Sequence, residues 1–199
     1  MVLANLNRAS DLIRSFKMVA ADQVSEARRP FNVRAYIDEL LLSLRPKLKK
    51  TAHRIEVRCD EALTIESYPG ALAQILTNFI VNSLVHAFAP DQAGLIRIEV
   101  EATGVGIELR YTDNGRGMPT EVRDRIFEPF FTTARSQGST GLGLHIVFNI
   151  VTATLGGSIR CESKPGQGTK VLVRLPRKLS SGEALTARIL LVDDDPLFI

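Results

Sequence analysis

The sequence has few of the features that mark several common classes of protein. No apolar run reaches the roughly 18 residues that a membrane-spanning helix needs, and the N-terminus becomes polar within five residues, as signal peptides do not. There are only two cysteines, Cys59 and Cys161, and neither lies in a CxxC pair or close to a histidine. We therefore expect reduced thiols rather than a metal site, and a cytoplasmic location.

Charge and composition point to an ordinary globular protein and exclude few further functional classes. Lysine and arginine number 25 against 22 aspartates and glutamates, and the resulting net charge of +3 is spread along the chain. This balance does not favour nucleic-acid binding. With 45% hydrophobic and 24% charged residues among 199, the chain is typical of a soluble globular protein with one domain and short appendages.

The common phosphate-binding loops are absent, since no Gly-Lys-Ser/Thr ending and no Gly-x-Gly-x-x-Gly after a first strand occurs. The stretch 113–144 nevertheless has the parts of a nucleotide site. Asp113 follows a strand-like segment and could accept a hydrogen bond from an adenine amino group. Gly141-Leu142-Gly143 precedes an apolar helix, where backbone N–H groups can approach phosphate oxygens. Either of these two segments alone could be a simple turn, but together they indicate a nucleotide-binding site.

Four motifs carry a resemblance to the ATPase domain of sensor histidine kinases, a branch of the GHKL superfamily. Asp113 through Gly117 resembles the G1 box, Phe127 through Thr133 the F box, Gly138 through Leu144 the G2 box, and Gln74 through Ser83 the upstream N box. Four motifs in this order within about 70 residues are a specific signal. The resemblance covers nearly the whole chain.

The resemblance implies an α+β fold of the histidine kinase ATPase type. This is a two-layer α/β sandwich, in which helices cover one face of a mixed, mostly antiparallel sheet, preceded by a long helix. The residue patterns agree, because apolar spacing predicts helices over 32–50, from Tyr68 onward and over a buried stretch 142–155. Alternation and turn residues predict strands over 54–58, 62–65, 94–102, 107–111, 158–163 and 169–175.

The resemblance also implies ATP and Mg²⁺ as ligands. Asp113 would bind adenine, and Asn82 would bind Mg²⁺ with help from Asn78. The two asparagines are four residues apart, on one helix face, and their amide oxygens suit Mg²⁺, although a solvated stripe would look the same. The other residues expected at the nucleotide are His86, Gly115, Gly117, Met118, Ile126, Thr133, Arg135, Thr140, Gly141, Leu142, Gly143 and Leu144.

Residues 119–140 are expected to form a lid over the nucleotide. Phe127, Phe130 and Phe131 would anchor it to the core, and Arg135 and Thr140 would reach the phosphates. One departure from the family pattern lies outside this lid. Many similar kinases carry a lysine directly before the residue corresponding to His86, whereas this chain has Val85 there. His145, on the following helix, is expected to be a packed core histidine rather than a ligand.

The ends of the chain resemble parts of neighbouring domains. Residues 1–29 resemble the second helix of a dimerisation domain, 30–176 the ATP-binding domain, 177–187 a linker and 188–199 the acidic start of a response-regulator receiver domain. No histidine stands in a His-Glu-x-x-x-Pro context, so the phosphoaccepting histidine is expected on a helix outside this chain. The expected parent is a hybrid histidine kinase, a homodimer whose partners are that helix and a receiver domain.

Three alternatives remain open. An ATP-hydrolysing machine like gyrase would carry a glutamate at Asn78 as a general base, and asparagine cannot take a proton. A Ser/Thr kinase of the anti-sigma type would not need the bundle-like first helix or the receiver-like tail. A docking module that has lost ATP would not need the four motifs.

Overall fold

A computed structural model describes residues 28–49, 51–89, 92–134 and 139–176. The predictions for residues 1–27, for the linker and for the receiver-like tail lie outside the described residues, as do Arg135 and Gly138. None of the helices in the described part of the chain is long and apolar enough to span a bilayer.

Two sheets organise the described residues. Strands β1 (Arg29–Asn32) and β3 (Thr64–Ser67) form an antiparallel pair. The larger sheet has five strands in the order β2-β4-β5-β7-β6, which are Arg54–Cys59, Leu95–Ala102, Gly106–Asp113, Thr169–Pro176 and Ser158–Ser163. The pair β2–β4 is parallel and the other three pairs are antiparallel, so the predicted mixed, mostly antiparallel sheet is confirmed.

The two faces of the five-stranded sheet differ in chemistry because side chains alternate along each strand. On β5 the buried set is Ile107, Leu109 and Tyr111, and these residues share one core with the helices. The opposite face carries charged residues. There Glu108 pairs with Arg110 at 2.8 Å and with Arg174 at 3.0 Å. This difference explains why the helices cover one face only.

Helices α1 (Val33–Leu48) and α2 (Pro69–Asn82) begin where the sequence supplies start signals. The Asn32 side chain caps α1 by accepting a hydrogen bond from the Ala35 amide at 2.8 Å. Pro69 opens α2, where its missing N–H needs no partner. After Asn82 the chain continues as a π-helical turn, Ser83–Ala87, which the sequence did not predict.

The last helical segment differs from the continuous buried helix predicted over 142–155. A short helix, α3 (Thr120–Arg123), precedes it, and then α4 (Gly143–Asn149) changes into a second π-helical turn, Ile150–Thr154. Only one side is fully buried, through Val147, Val151 and Leu155, which are spaced four residues apart. The prediction of burial was therefore too broad, because apolar residues also stand on the half-buried sides of this segment.

Strand β1 was not predicted, because the sequence places a domain boundary at Pro30, a residue that commonly ends a regular element. Proline is tolerated at the edge of a sheet, and β1 pairs on one side only, with β3. The pair Phe31 and Ile65 is buried at its centre. β1 lies across the predicted domain boundary between residues 29 and 30.

The burial of β5 leads to a test of the fold. Leu109 is 0% exposed in the middle of the sheet, and Val105, in the turn before β5, is 86% exposed. Leu109→Ala should lower the free energy of unfolding by about 3 kcal/mol, because it removes buried methyl groups and leaves a cavity. Val105→Ala should change it by less than about 0.5 kcal/mol. Urea denaturation followed by circular dichroism measures both, and similar losses would contradict the buried position of Leu109.

Candidate nucleotide-binding site

The candidate site is centred on Asp113, the last residue of β5. The residue is only 6% exposed. Oδ2 accepts a hydrogen bond from Ser83 Oγ at 2.8 Å, and Oδ1 accepts one from the Gly115 amide at 3.0 Å. Burial raises the pKa of Asp113 above its ordinary value, while these hydrogen bonds hold it down. The protein thus keeps a carboxylate in a largely dry position by surrounding it with donors.

The loop after Asp113 is attached to the π-helical turn that follows α2. The Arg116 amide donates to the carbonyl oxygen of Ala87 at 2.8 Å. Gly115 lies so close that a Cβ built on it would be 2.5 Å from both the Cβ and the carbonyl oxygen of Ala87. Only glycine allows this approach, which brings the G1-like loop against the turn that carries His86.

The same loop is also attached to the turn between β6 and β7. The Gly166 amide donates to the Arg116 carbonyl at 2.7 Å, and the Met118 amide donates to Ser163 Oγ at 2.9 Å. Gly117 stands between these bonds with φ 65°, and a Cβ on it would be 2.0 Å from the Lys164 carbonyl oxygen. Its glycine is required both by the backbone conformation and by the neighbouring chain.

Helix α2 and the turn after it bring the amide and imidazole groups of the N-box segment to the site. Asn78 donates from Nδ2 to the Gln74 carbonyl at 2.9 Å, and its Oδ1 would be 2.7 Å from a Cβ on Gly143. Asn78 and the G2-like segment are therefore adjacent in space.

Two polar atoms on the segment after Asn78 are buried without a hydrogen-bond partner among the described residues: Asn82 Nδ2 and His86 Nδ1. Buried polar atoms are almost always paired, so these two are available to a ligand or to water. Burial lowers the pKa of His86, and the positive charge of Arg116 lowers it further. His86 is therefore neutral near pH 7, and its unpaired Nδ1 can either accept or donate a hydrogen bond, depending on the tautomer.

The remaining predicted ligands lie on the loop after β5, on the segment that leads to α4 and at the start of α4 itself. Gly141 packs against Phe130 and Phe131, and Leu142 is buried. Ile126 is buried, Met118, Thr140 and Leu144 are half-buried, and Thr133 is exposed. Arg135 lies outside the described residues. No cluster of three or more His, Cys, Asp or Glu side chains that could hold a metal occurs in the described ranges.

The phenylalanines of the F-box segment have different positions. Phe127 is half-buried, and its ring centroid lies 5.6 Å from that of Phe148 in α4. Phe130 is 47% exposed, so the prediction that it anchors the segment to the core is wrong. Its backbone explains the difference, because φ is 64° at Phe130, in the left-handed region, and the chain turns its side chain outward.

His145 is held between these elements. Its Nδ1 lies 3.0 Å from the Phe127 carbonyl oxygen, which makes Nδ1 the donor, and its Nε2 accepts from Asn149 Nδ2 at 3.1 Å. Both ring nitrogens are thus used within the protein. This agrees with the predicted role in packing, although the side chain is half-buried rather than fully enclosed.

Two residues of the site were missed from the sequence, Ser83 and Tyr111. Tyr111 OH lies 2.8 Å from Ser83 Oγ, which in turn donates to Asp113. A signal for Ser83 was present, because it stands four residues after Phe79, on the apolar face of α2. A hydroxyl on a core-facing position has to find a buried partner.

Comparisons with known proteins agree with this geometry. Residues 68–179 match the family model described as histidine kinase-, DNA gyrase B-, and HSP90-like ATPase. The sensor histidine kinase AruS of Pseudomonas aeruginosa is 33% identical over 213 residues, which cover 97% of this chain. The chain spans only 20% of the length of AruS.

Solved structures give the same fold. The catalytic domain of the histidine kinase ThkA, in a nucleotide-free form, superposes with a TM-score of 0.67 at 28% identity, covering 76% of this chain and 96% of that domain. Full-length ShkA in complex with AMPPNP superposes with a TM-score of 0.66 at 25% identity, covering 80% of this chain and 33% of ShkA.

The close approach at Gly117 leads to a test with a matched control. Gly117 and Gly166 both have positive φ, 65° and 77°, but a Cβ on Gly166 would meet nothing within 4 Å. Gly166→Ala should cost only the backbone strain, about 1 kcal/mol. Gly117→Ala should cost at least about 2 kcal/mol more, because it also displaces the Lys164 backbone. Thermal unfolding measures both, and equal losses would show that the G1-like loop is not packed against this turn.

Proposed function

The chain belongs to the histidine kinase-, DNA gyrase B-, and HSP90-like ATPase family, and from this premise we propose that it is the ATP-binding catalytic part of a two-component sensor histidine kinase. It binds Mg-ATP and donates the γ-phosphoryl group to a histidine on a separate helix. The observation that carries this proposal is the buried, donor-surrounded carboxylate of Asp113, with unpaired atoms of Asn82 and His86 on the neighbouring segment.

Asp113 is the proposed contact for adenine. Its position at the end of β5, within a loop fixed on both sides, preorganises the carboxylate before a ligand arrives. An adenine amino group is a hydrogen-bond donor and suits a carboxylate. Met118 and Ile126 supply apolar surface for the base. The complex of ShkA with AMPPNP supports an adenine nucleotide as the ligand of this fold.

The phosphates are proposed to lie between α2 and the segment 140–144. Asn82 would hold Mg²⁺ with help from Asn78, and an amide rotated by 180° presents oxygen where the unpaired Nδ2 now stands. When bound, Mg²⁺ neutralises charge on the phosphates. The backbone of Gly143 lies close to this place, since Gly143 is adjacent to Asn78, and Gly141 precedes it by two residues. Thr133, Arg135 and Thr140 are further proposed phosphate contacts.

Phosphoryl transfer of this kind needs mainly positioning and charge neutralisation from the protein. A histidine nucleophile needs no strong base beside the phosphates, whereas activation of water does. Asn78 stands where the ATP-hydrolysing relatives carry glutamate, and its amide donates to the Gln74 carbonyl. This arrangement favours transfer to a presented side chain over hydrolysis.

We propose the domain organisation that the sequence predicts. Residues 1–29 form the second helix of a dimerisation domain, 30–176 the catalytic domain, 177–187 a linker and 188–199 the start of a receiver domain. The parent is then a cytoplasmic hybrid kinase that works as a homodimer, and its partners are a histidine-bearing helix and a response-regulator receiver. The similarity to AruS over 97% of the chain supports this arrangement.

The first test is calorimetric titration of Mg-AMPPNP into the chain. We expect saturable binding that falls at least about 100-fold in Asp113→Asn, because an amide in place of the carboxylate puts a donor where adenine also presents one. Asp38→Asn changes an exposed carboxylate on α1 and should bind like the parent. Absence of binding by the parent would favour a docking module without nucleotide, and equal binding by Asp113→Asn would remove Asp113 from the site.

The second test separates a kinase from an ATP-hydrolysing machine. Phosphate release from Mg-ATP by the purified chain should be very slow, because no general base stands at Asn78. Asn78→Glu, which introduces one, should raise the release rate. Release is followed with a coupled colorimetric assay, and a boiled sample sets the background. Rapid release by the parent chain would contradict the assignment as a histidine kinase.

A further inference from the structure

A line of hydroxyl groups lies directly behind the carboxylate of Asp113. Ser83 Oγ is 2.8 Å from Asp113 Oδ2, and Tyr111 OH is 2.8 Å from Ser83 Oγ and 3.1 Å from the Phe79 carbonyl oxygen. All three side chains are buried. They come from different elements, because Asp113 and Tyr111 stand on β5 and Ser83 on the π-helical turn after α2.

The hydrogen bonds in this line have a fixed direction. An ionised carboxylate can only accept hydrogen bonds, so the single hydrogen of the Ser83 hydroxyl is donated to Asp113. The lone pairs of Ser83 Oγ are then free to accept from Tyr111, whose own hydrogen is shared between Ser83 and the Phe79 carbonyl. Tyr111 therefore orients Ser83, and Ser83 orients Asp113.

Donors of the protein occupy about half of the carboxylate. A carboxylate has about four lone-pair positions. Ser83 Oγ and the Gly115 amide take two of them. A position that remains for a ligand can only accept.

We infer that Ser83, oriented by Tyr111, is a positioning residue that keeps Asp113 an acceptor and so makes the site select a 6-aminopurine nucleotide over a 6-oxopurine nucleotide. This inference rests on the proposed function and deepens it. The amino group of adenine donates to the free position of the carboxylate. The carbonyl oxygen of a 6-oxopurine would place an acceptor against it.

The Ser83 hydroxyl is needed because the burial of Asp113 acts against the ionised form of its carboxyl group. Burial raises the pKa of Asp113, which favours a neutral carboxyl group that could donate to a 6-oxopurine, and the hydrogen bonds from the Gly115 amide and from Ser83 act against this rise. The titratable neighbours do not supply this support. Burial raises the pKa of Tyr111, and raises that of Cys161 on β6 to about 12, so both are uncharged near neutral pH.

The test compares Mg-ATP with Mg-ITP, whose base carries a 6-oxo group, in calorimetric titrations at pH 7.5. The parent chain should prefer ATP by about 100-fold or more. Ser83→Ala should weaken ATP binding and lower the ATP to ITP ratio about tenfold, as expected for loss of one hydrogen bond to a charged group. Ser83→Thr keeps the hydroxyl and should keep the ratio. Ser67→Ala, at a buried serine in β3, is the matched control and should behave like the parent.

The possible outcomes are distinct. A lower ratio in Ser83→Ala with rescue by Ser83→Thr supports the inference. An unchanged ratio overturns it, whether binding of both nucleotides is retained or weakened equally, because a purely structural role weakens both alike. If the parent binds neither nucleotide, the proposed function fails first and the inference fails with it.

Two further variants keep the test decisive if Ser83→Ala does not fold. Ser83→Cys nearly preserves the volume but is a weaker donor, so it should lower the ratio by an intermediate amount. Tyr111→Phe removes only the group that orients Ser83, and should lower the ratio less than Ser83→Cys. If Tyr111→Phe lowered the ATP to ITP ratio more than Ser83→Ala or Ser83→Cys does, Tyr111 would not act through Ser83, and this would contradict the inference.

Discussion

The buried carboxylate of Asp113 is the constraint on which the rest of the site depends. A charge in a dry position is costly unless donors surround it, and here the donors come from separate parts of the chain. Ser83 belongs to the turn after α2 and Gly115 to the loop after β5. The ionised carboxylate therefore depends on both of these segments being in place.

The backbone around this carboxylate is correspondingly crowded. The loop 114–118 is bonded to Ala87 on one side and to the turn 164–168 on the other. The π-helical turn Ser83–Ala87 places the Ala87 carbonyl where the Arg116 amide can reach it. A π-helical turn is less favourable than an α-helical one, and such turns are frequent at functional sites. Here the turn is held by the loop that carries the predicted adenine contact.

The architecture of the large sheet was predictable because its strands alternate cleanly. The hairpin of β4 and β5 and the hairpin of β6 and β7 lie within one or two residues of the predicted positions. Strand β1 was not predicted, because Pro30 is a breaker in most contexts and only the edge position makes it acceptable. Pairing with β3, some 35 residues away, cannot be deduced from local patterns.

The site was predictable in its motifs and not in its supporting contacts. Asp113, Asn78 and Asn82 were selected from a resemblance of short motifs, and their roles at a nucleotide stay a prediction. The structure adds that Asn78 lies beside Gly143. The hydrogen bonds of Ser83 and Tyr111 depend on which side chains meet across the core, which no local spacing specifies. The outward position of Phe130 depends on a left-handed backbone conformation that its residue type does not indicate.

The pairing of β1 with β3 links the first described strand to the start of helix α2. The chain enters the described domain at β1, and the register couples Arg29 to Ser67 and Asn32 to Thr64. Only Tyr68 separates Ser67 from Pro69, the first residue of α2. Strand β1 is therefore connected through β3 to the start of the helix that carries Asn78 and Asn82. This connection runs outside the five-stranded sheet, so the two-stranded sheet joins the first described strand directly to the N-box helix.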